Sequence, residues 1–387
     1  MSDGRYHSPL GPSKAHRWAR CPASVNASKD IADEATQAAL DGTVAHERAA
    51  GMAKLRLTDT CSAPLPPVDP EWLPHLDDYV AYIEQFVDEH SIVMIEEEVH
   101  TERVTGIKGD TGSLDAAVLN TDALHIFDLK FGVGDTVAAE DAKEEDIRLN
   151  PQLAMYADGV LEDHGFLLPS DPEFPVALHI FQPRREHISR VDTTMREVRS
   201  VCDYLQFRAS LTRSPVPPFN PGEKQCRWCP IRGSCAARAR WVMSDFEIYN
   251  AIGIDTLSDA EIAKIGEKLG AFRRWRDDVL TELGKRTLAG KEVGYKFVRG
   301  SSKRVITEQG GDKLTGLLGE KAWTKPEPEL IGIGAAEKLI GKKHPFWTEE
   351  GNVFKPLGGI KLVPVSHSGQ AVQADASDDF DIETAKE

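Results

Sequence analysis

The chain has 387 residues, of which 41% are hydrophobic and 28% charged, a composition typical of globular proteins with a sizeable core. It contains no run of eighteen apolar residues, and its first ten residues lack the apolar stretch of a secretory signal, so we expect a cytoplasmic protein with no membrane span. The formal net charge of −16 argues against a protein that coats nucleic acid through general positive charge, although it is compatible with a nuclease whose carboxylates bind metal.

The first 240 residues alternate between helical and strand patterns. Apolar spacing predicts four helices, which span residues 41–55, 71–90, 151–160 and 193–213. Short β-type runs predict four strands, Ile92–Val99, Gly112–Leu119, Ala123–Lys130 and Val176–Gln182. The order of these elements favours an α/β fold with a central sheet flanked by helices.

The remainder of the chain has a different character. A compact Cys-rich segment covers residues 224–240, helical spacing returns over 258–287, and a strand-like pair follows at Gly294–Val298 and Arg304–Ile306. Residues 271–304 hold ten Lys or Arg residues against four acidic ones, a patch that is either a DNA-backbone track or the solvated face of a helix. We therefore predict domains at 1–240 and 241–366, followed by an acidic disordered tail at 367–387.

Acidic side chains occur on two neighbouring predicted strands. Asp115 lies within one strand, and Asp128 and Lys130 form a D-x-K pattern on the next. Because strand side chains alternate between faces, Asp128 and Lys130 point the same way while Leu129 points to the opposite face. Two adjacent carboxylates repel each other unless a cation lies between them, so this pattern predicts a Mg²⁺ or Mn²⁺ site beside an amine. A strand-end salt pair between Asp128 and Lys130 is the alternative.

Other polar residues accompany this pattern. Gln152 and Tyr156 are four residues apart, so they share a helix face that could contact a phosphodiester backbone and a base, or could be an ordinary polar face. His46 on the first predicted helix is either a metal ligand, which would favour Mn²⁺, or a structural histidine. Glu97 and Glu98 end the first strand, and either one of them faces the site or both are solvated.

The chain has six cysteines, at positions 21, 61, 202, 226, 229 and 235. Cys226, Cys229 and Cys235 lie close enough in sequence to require a soft metal or a cluster. Cys21, which precedes Pro22, is the stronger candidate for a fourth ligand, and Cys61 is the weaker one. Their spacing alone does not decide between zinc and an iron–sulfur cluster.

Together these motifs resemble the RecB-type branch of the PD-(D/E)XK nucleases, and most closely the AddB-type and CRISPR-adaptation-type nucleases that carry an iron–sulfur cluster. The resemblance covers about residues 14–240. The opening PSKAHRWARCPAS and the later AAEKLIGKK are also similar to an uncharacterised phage and prophage family of RecB-like proteins. The chain departs from many relatives by having aspartate rather than glutamate in its D-x-K motif, and both residues ligate metal.

The resemblance implies a restriction-endonuclease-like α/β core with a Cys-ligated cluster and an α+β C-terminal extension. It implies metal ligation by His46, Asp115 and Asp128, with the Leu129 carbonyl as a further ligand, catalysis by Lys130, and DNA contacts from Gln152 and Tyr156. It favours iron over zinc, and it assigns a structural 4Fe–4S cluster to four cysteines: Cys21, Cys226, Cys229 and Cys235.

The function implied is that of a Mg²⁺- or Mn²⁺-dependent deoxyribonuclease that processes DNA ends or single strands during phage replication or recombination in a bacterial host. Its partners would be DNA and phage replication or recombination proteins. The alternative is a catalytically weak DNA-binding or replisome scaffolding protein on the same fold, which the acidic tail favours because such tails can dock onto basic partners.

Overall fold

The structure is a computed structural model of the chain. It describes residues 8–31, 37–60, 64–141, 147–167, 171–252, 258–324, 329–357 and 359–373. The chain divides into two compact units, Met1–Ser258 and Asp259–Glu387. The helix that follows the cysteine segment therefore belongs to the first unit, which extends beyond residue 240.

The first unit is built on a five-stranded mixed sheet. Its strands are β1 (Ile92–His100), β2 (Thr111–Leu119), β3 (Leu124–Leu129), β4 (Pro175–Gln182) and β5 (His187–Thr194). They are hydrogen-bonded in sequence order, with β3 and β4 parallel and every other neighbouring pair antiparallel. The prediction of a mixed α/β core with a central sheet is confirmed, while β5 was not predicted.

Nine helices of the described residues belong to this unit. They are α1 (Ala15–Trp18), α2 (Ala23–Ser28), α3 (Gln37–Ala53), α4 (Leu73–Glu84), α5 (Glu102–Thr105), α6 (Pro151–His164), α7 (Met195–Thr212), α8 (Glu223–Arg227) and α9 (Ala236–Ile252). The helix α6 joins β3 to its parallel neighbour β4, the connection that a parallel pair requires. Asn150 caps α6 by accepting hydrogen bonds from the Gln152 and Leu153 amides, and Pro151 occupies its first turn.

Helices cover both faces of the sheet. On one face α3 and α4 pack on side chains such as Val118 and Phe127, and on the other α6 and α7 pack on Ala117 and Ile126. Neighbouring residues of each strand thus enter different layers, as the period of two requires. The sheet is consequently buried between two apolar layers, and polar groups placed on its central strands are withdrawn from water.

The second unit contains α10 (Asp259–Leu288), β6 (Tyr295–Arg299), β7 (Val305–Ile306), α11 (Glu308–Leu318), α12 (Ile333–Ile340), β8 (Val353–Phe354) and β9 (Ile360–Pro364). The predicted pairing of the strands near 294–298 and 304–306 is wrong, because β6 pairs with β9 and β7 pairs with β8. Both partners lie near the C-terminus, beyond the range of a local hairpin. Residues 374–387, which include most of the predicted acidic tail, lie outside the described residues.

In the described part of the chain, no helix combines the length and apolar character that a bilayer crossing needs.

Candidate metal centre

The two predicted aspartates lie opposite each other on neighbouring strands. The antiparallel pairing of β2 and β3 ends at Ala116 and Phe127, and the next position in the same register brings Asp115 opposite Asp128. Directly opposed residues of an antiparallel pair point to the same side of the sheet. Asp115 also bridges the two strands, because its Oδ2 accepts a 2.7 Å hydrogen bond from the Leu129 amide.

His46 reaches the same place from α3. Its Nδ1 lies 3.0 Å from Asp115 Oδ1, at the distance of a hydrogen bond and ion pair. Burial by itself would lower the pKa of His46, but the charge and hydrogen bond of Asp115 outweigh it and raise the pKa to about 9. With this pKa and no metal bound, the imidazole would be protonated at neutral pH and would donate to Asp115.

Glu96 is a further acid at this position, which the sequence did not single out. Ligand atoms of His46, Glu96 and Asp115 all lie within 4.8 Å of one another, the spacing of groups that can share one metal ion. Glu96 has a φ of 51°, a strained value for a residue other than glycine, and it lies opposite Asp115 where the pairing of β1 and β2 is interrupted. Of the two alternatives for Glu97 and Glu98, the structure fits the solvated strand end, because Glu97 Oε1 lies 3.6 Å from His164 Nε2 and Glu98 is exposed.

Asp128 is buried and incompletely paired. Lys130 Nζ lies 2.8 Å from Asp128 Oδ2, at the distance of an ion pair. No described residue donates a hydrogen bond to this oxygen, so we treat the contact as an ion pair. Burial raises the pKa of Asp128, with the nearby charge of Asp115 adding to the effect and Lys130 opposing it.

The pKa of Asp115 moves in the other direction. Burial would raise it, but the charges of His46 and Lys130 and the Leu129 amide together lower it. Two adjacent carboxylates whose pKa values are displaced in opposite directions are typical of functional sites. The negative charges of the Asp115 and Asp128 carboxylates repel each other, and this repulsion is strong because both groups are withdrawn from water. A divalent cation between them would relieve it.

Lys130 is held in place from the other helical layer. Its Nζ donates a 3.0 Å hydrogen bond to Gln152 Oε1 on α6, and Gln152 Nε2 donates in turn to the Tyr156 hydroxyl at 3.3 Å. Tyr156 is buried, and its pKa is raised by that burial. Gln152 and Tyr156 thus form a line of contacts that positions the lysine, and their predicted role as direct DNA contacts stays a prediction.

This donor set fits a hard divalent cation. Carboxylate oxygens suit Mg²⁺, and an imidazole beside them widens the choice to Mn²⁺. Asp128 Oδ2 is a buried carboxylate oxygen that accepts no hydrogen bond from a described residue, so a cation could be its partner. The predicted Leu129 carbonyl ligand stays a prediction, and the Leu129 side chain lies in the apolar layer with α3 and α4.

Four cysteines line one cavity of the first unit: Cys21, Cys226, Cys229 and Cys235. The first joins the other three across some two hundred residues of sequence because the segment after α1 runs alongside residues 218–222, where Ala23 donates its amide to the Pro218 carbonyl. The amides of Asn220 and Gly222 donate to the sulfurs of Cys21 and Cys226 at 3.4 and 3.5 Å. Of the described residues, no three cysteine sulfurs lie within 4.8 Å of one another.

The other two cysteines do not line this cavity in the described part of the chain. Cys202 is fully buried on α7, and its thiol donates to the Ala154 carbonyl at 3.4 Å, so it is part of the core. Cys61, the weaker candidate for a fourth ligand, lies outside the described residues. Burial raises the pKa of the Cys226 thiol to about 11, so without a metal this thiol stays protonated at neutral pH.

The fold and the site define a mixed α/β protein with a half-buried acidic group that is compatible with a divalent metal. The chain belongs to the family described as protein of unknown function (DUF2800), whose model matches residues 7–370.

Two solved structures show a distant likeness. One is the structure of SSO0001, with a TM-score of 0.27, 13% identity, and coverage of 61% of this chain and 90% of that one. The other is named "Putative exonuclease" from Eubacterium rectale, with a TM-score of 0.29, 13% identity, and coverage of 68% and 97%. These scores are too low to carry an argument about function.

Proposed function

We propose that this protein is a divalent-metal-dependent deoxyribonuclease that hydrolyses phosphodiester bonds in DNA ends or single strands. The observation that carries the proposal is the meeting of Asp115 and Asp128 on opposed strand positions with Lys130 beside them. Two carboxylates with an adjacent amine can hold a cation against a phosphate and stabilise the charge that develops on it. The sequence resemblance to RecB-type nucleases favours the same activity.

In this proposal, different residues bind the cation and neutralise charge on the phosphate. His46, Glu96 and Asp115, whose ligand atoms lie within 4.8 Å of one another, would hold the cation. Asp128 lies outside that group and would approach the cation from the neighbouring strand β3. When bound, the cation would supply Lewis acidity and a lowered pKa for water. Lys130, held by Gln152, would direct its ammonium toward the scissile phosphate and neutralise negative charge there. Burial of Asp128 withdraws these charges from water, which strengthens each electrostatic interaction in the site.

A nuclease assay tests this proposal directly. The full-length protein is incubated with end-labelled single- and double-stranded DNA in Mg²⁺ or Mn²⁺, beside Asp128→Ala and Lys130→Ala variants. We expect each substitution to reduce cleavage by about a hundredfold or more, the usual cost of removing one electrostatic group from an active site. Lys108→Ala is the matched control, since Lys108 is an exposed cation of the same unit.

Two outcomes would contradict the proposal. If both site variants cut as fast as the wild type, the active site has been assigned to the wrong residues. If the wild type binds DNA tightly but cuts it in none of the divalent metals, the alternative of a DNA-binding or scaffolding protein on this fold is favoured. The placement in phage replication or recombination rests on the sequence resemblance alone.

We also propose that Cys21, Cys226, Cys229 and Cys235 hold a structural 4Fe–4S cluster. The support is that all four line one cavity and that two of their sulfurs accept backbone amide hydrogen bonds, as ligating sulfurs commonly do. Protein purified without oxygen should be brown, and Cys229→Ala should lose the colour and unfold at a lower temperature. Colourless wild-type protein with one zinc ion per chain would favour the zinc alternative.

A further inference from the structure

Tyr79 on α4 has a buried hydroxyl group that the fold does not use. The side chain is only 3% exposed, and no described residue forms a hydrogen bond with its hydroxyl oxygen. Its neighbour Tyr82, one helical turn further along α4, differs because its hydroxyl lies 3.0 Å from His179 Nδ1. Buried polar groups are nearly always paired, so an unpaired one requires an explanation.

The Tyr79 side chain lines a small cavity that it shares with the proposed metal ligands His46, Glu96 and Asp115. The remaining wall on α3 is made of alanines, whose short side chains leave this space open. The cavity has a volume of about 10 Å³, close to the space that one water molecule occupies. Tyr79 and the metal ligands thus line the same water-sized space, and no hydrogen bond joins the hydroxyl to them directly, so a single water could connect them.

Packing alone does not account for a tyrosine at this position. The ring fills the layer between α4 and the sheet, and a phenylalanine ring would fill it equally well. An unpaired buried hydroxyl destabilises the folded state, so replacing it by hydrogen is expected to be neutral or stabilising. The hydroxyl group thus lowers the stability of the metal-free protein.

The hydroxyl can only be a donor to the acidic groups around it. Burial raises the pKa of Tyr79 well above its usual value, and the charges of Asp115, Asp128 and Glu96 raise it further. The phenol therefore keeps its proton, while the ionised carboxylates carry acceptor atoms and no proton. A hydrogen bond from Tyr79 would hold a carboxylate in a fixed orientation, as the partners of metal ligands generally do.

We propose that Tyr79 is a positioning residue of the metal centre, whose hydroxyl donates a hydrogen bond to the acidic ligands, directly or through one water, when a divalent cation is held there. The inference rests on the proposed function in one respect, since it needs the same site to bind the cation. It adds a residue from α4 to a centre otherwise built from α3 and the strands.

The test compares Tyr79→Phe with Tyr82→Phe in the full-length protein, with Mn²⁺ as the probe. Mn²⁺ affinity is measured by titration against the electron paramagnetic resonance signal of the free ion, and thermal unfolding is followed with and without Mn²⁺. We expect Tyr79→Phe to weaken Mn²⁺ binding about tenfold while the metal-free variant unfolds at the same or a higher temperature than the wild type. Tyr82→Phe should keep the wild-type affinity.

The double variant Tyr79→Phe/Glu96→Gln sharpens the result. If the hydroxyl acts through the ligand carboxylates, the double variant loses less affinity than the two single losses combined. Equal Mn²⁺ affinity of Tyr79→Phe and the wild type overturns the inference and leaves the proposed metal site standing. A wild type that binds no Mn²⁺ overturns the metal site itself, and the role of Tyr79 with it.

Discussion

Two buried aspartates of the first unit are treated very differently by the fold. Asp158 and Asp128 have side chains that are each about 2% exposed. Asp158 receives a two-bond fork from Arg103, at 2.9 and 2.8 Å, and a second guanidinium from Arg199 at 2.9 Å. Asp128 has only the ion pair with Lys130, and no described residue donates a hydrogen bond to its Oδ2.

The difference is what we expect if Asp158 is a structural charge and Asp128 belongs to the proposed metal site. Removing a carboxylate from water is costly, and a bidentate arginine is the partner that best offsets the cost. Asp158 has such a partner, so both of its oxygens accept hydrogen bonds, although burial still raises its pKa. Asp128 has the ion pair with Lys130 but no hydrogen bond from a described residue at Oδ2, so it keeps acceptor capacity that a cation could use.

The largest expected effect is a loss of stability when the hydrogen bonds of Asp158 are broken. Arg103→Ala leaves Asp158 with Arg199 alone, and we expect the free energy of unfolding to fall by about 3 kcal/mol, at the low end for a broken buried pair. Mn²⁺ affinity should not change, because Arg103 is not part of the metal centre. Chemical denaturation measures the first quantity and Mn²⁺ titration the second.

Arg196→Ala is the control for this variant. Arg196 forms an ion pair with Glu173 in which both side chains are more than half exposed, and such pairs contribute less than about 1 kcal/mol. A loss of stability for Arg196→Ala as large as that for Arg103→Ala would mean that burial does not distinguish the two pairs, and the comparison would fail.

The comparison extends to a buried pair that carries no charge. His125 Nδ1 lies 3.2 Å from His179 Nε2 between β3 and β4, and both rings are buried. Burial, with the charge of Arg190 adding to it, lowers the pKa of His125 to about 4. Burial and the neighbouring His125 lower the pKa of His179 to about 3.

This pair should make the protein sensitive to acid. Both pKa values lie below the unfolded value near 6.5, so between about pH 6.5 and 4 the unfolded chain binds protons that the folded protein does not. Their contribution is complete above pH 6.5 and is lost as the pH falls, by at most about 1.4 kcal/mol per pH unit for each histidine. Denaturation of the wild type and His125→Phe at several pH values measures it, and an unchanged slope in the variant would contradict the assignment.

The smallest change in stability is expected when Asp128 is replaced. Asp128→Asn removes a buried, poorly paired charge, so we expect the metal-free protein to keep its stability or gain about 1 kcal/mol. The rise in unfolding temperature that Mn²⁺ produces in the wild type should shrink in this variant, because a ligand oxygen is lost. A variant that is less stable without metal and equally stabilised by Mn²⁺ would place Asp128 with Asp158 as a structural residue.

Local patterns were sufficient to predict most of the sheet. Four runs with β-type composition became β1, β2, β3 and β4, and the period of two correctly separated Leu129, in one apolar layer, from Asp128. The strand β5 was missed because only two of its eight residues are buried and it has no continuous apolar run. Pairing in the second unit was predicted wrongly because its partners are distant in sequence.

Only some of the site residues could be predicted from the sequence. The three consecutive acids Glu96, Glu97 and Glu98 look alike in the sequence, and the register of β1 against β2, which sets Glu96 opposite Asp115, decides which one reaches it. Tyr79 fits the apolar stripe of α4, so its sequence indicated a core residue and nothing more. The unpaired hydroxyl becomes visible only when every neighbour is known.

The sequence by itself determined the elements and the residue types that carry the chemistry, because hydrophobic period and short-range spacing are properties of neighbouring residues. Tertiary structure decided which of those residues meet. His46, Glu96 and Asp115 come from three elements, and Cys21 joins Cys226 across the length of the first unit. Such convergence depends on strand register and helix packing, which arise from the burial of the whole core and leave no mark on any single segment.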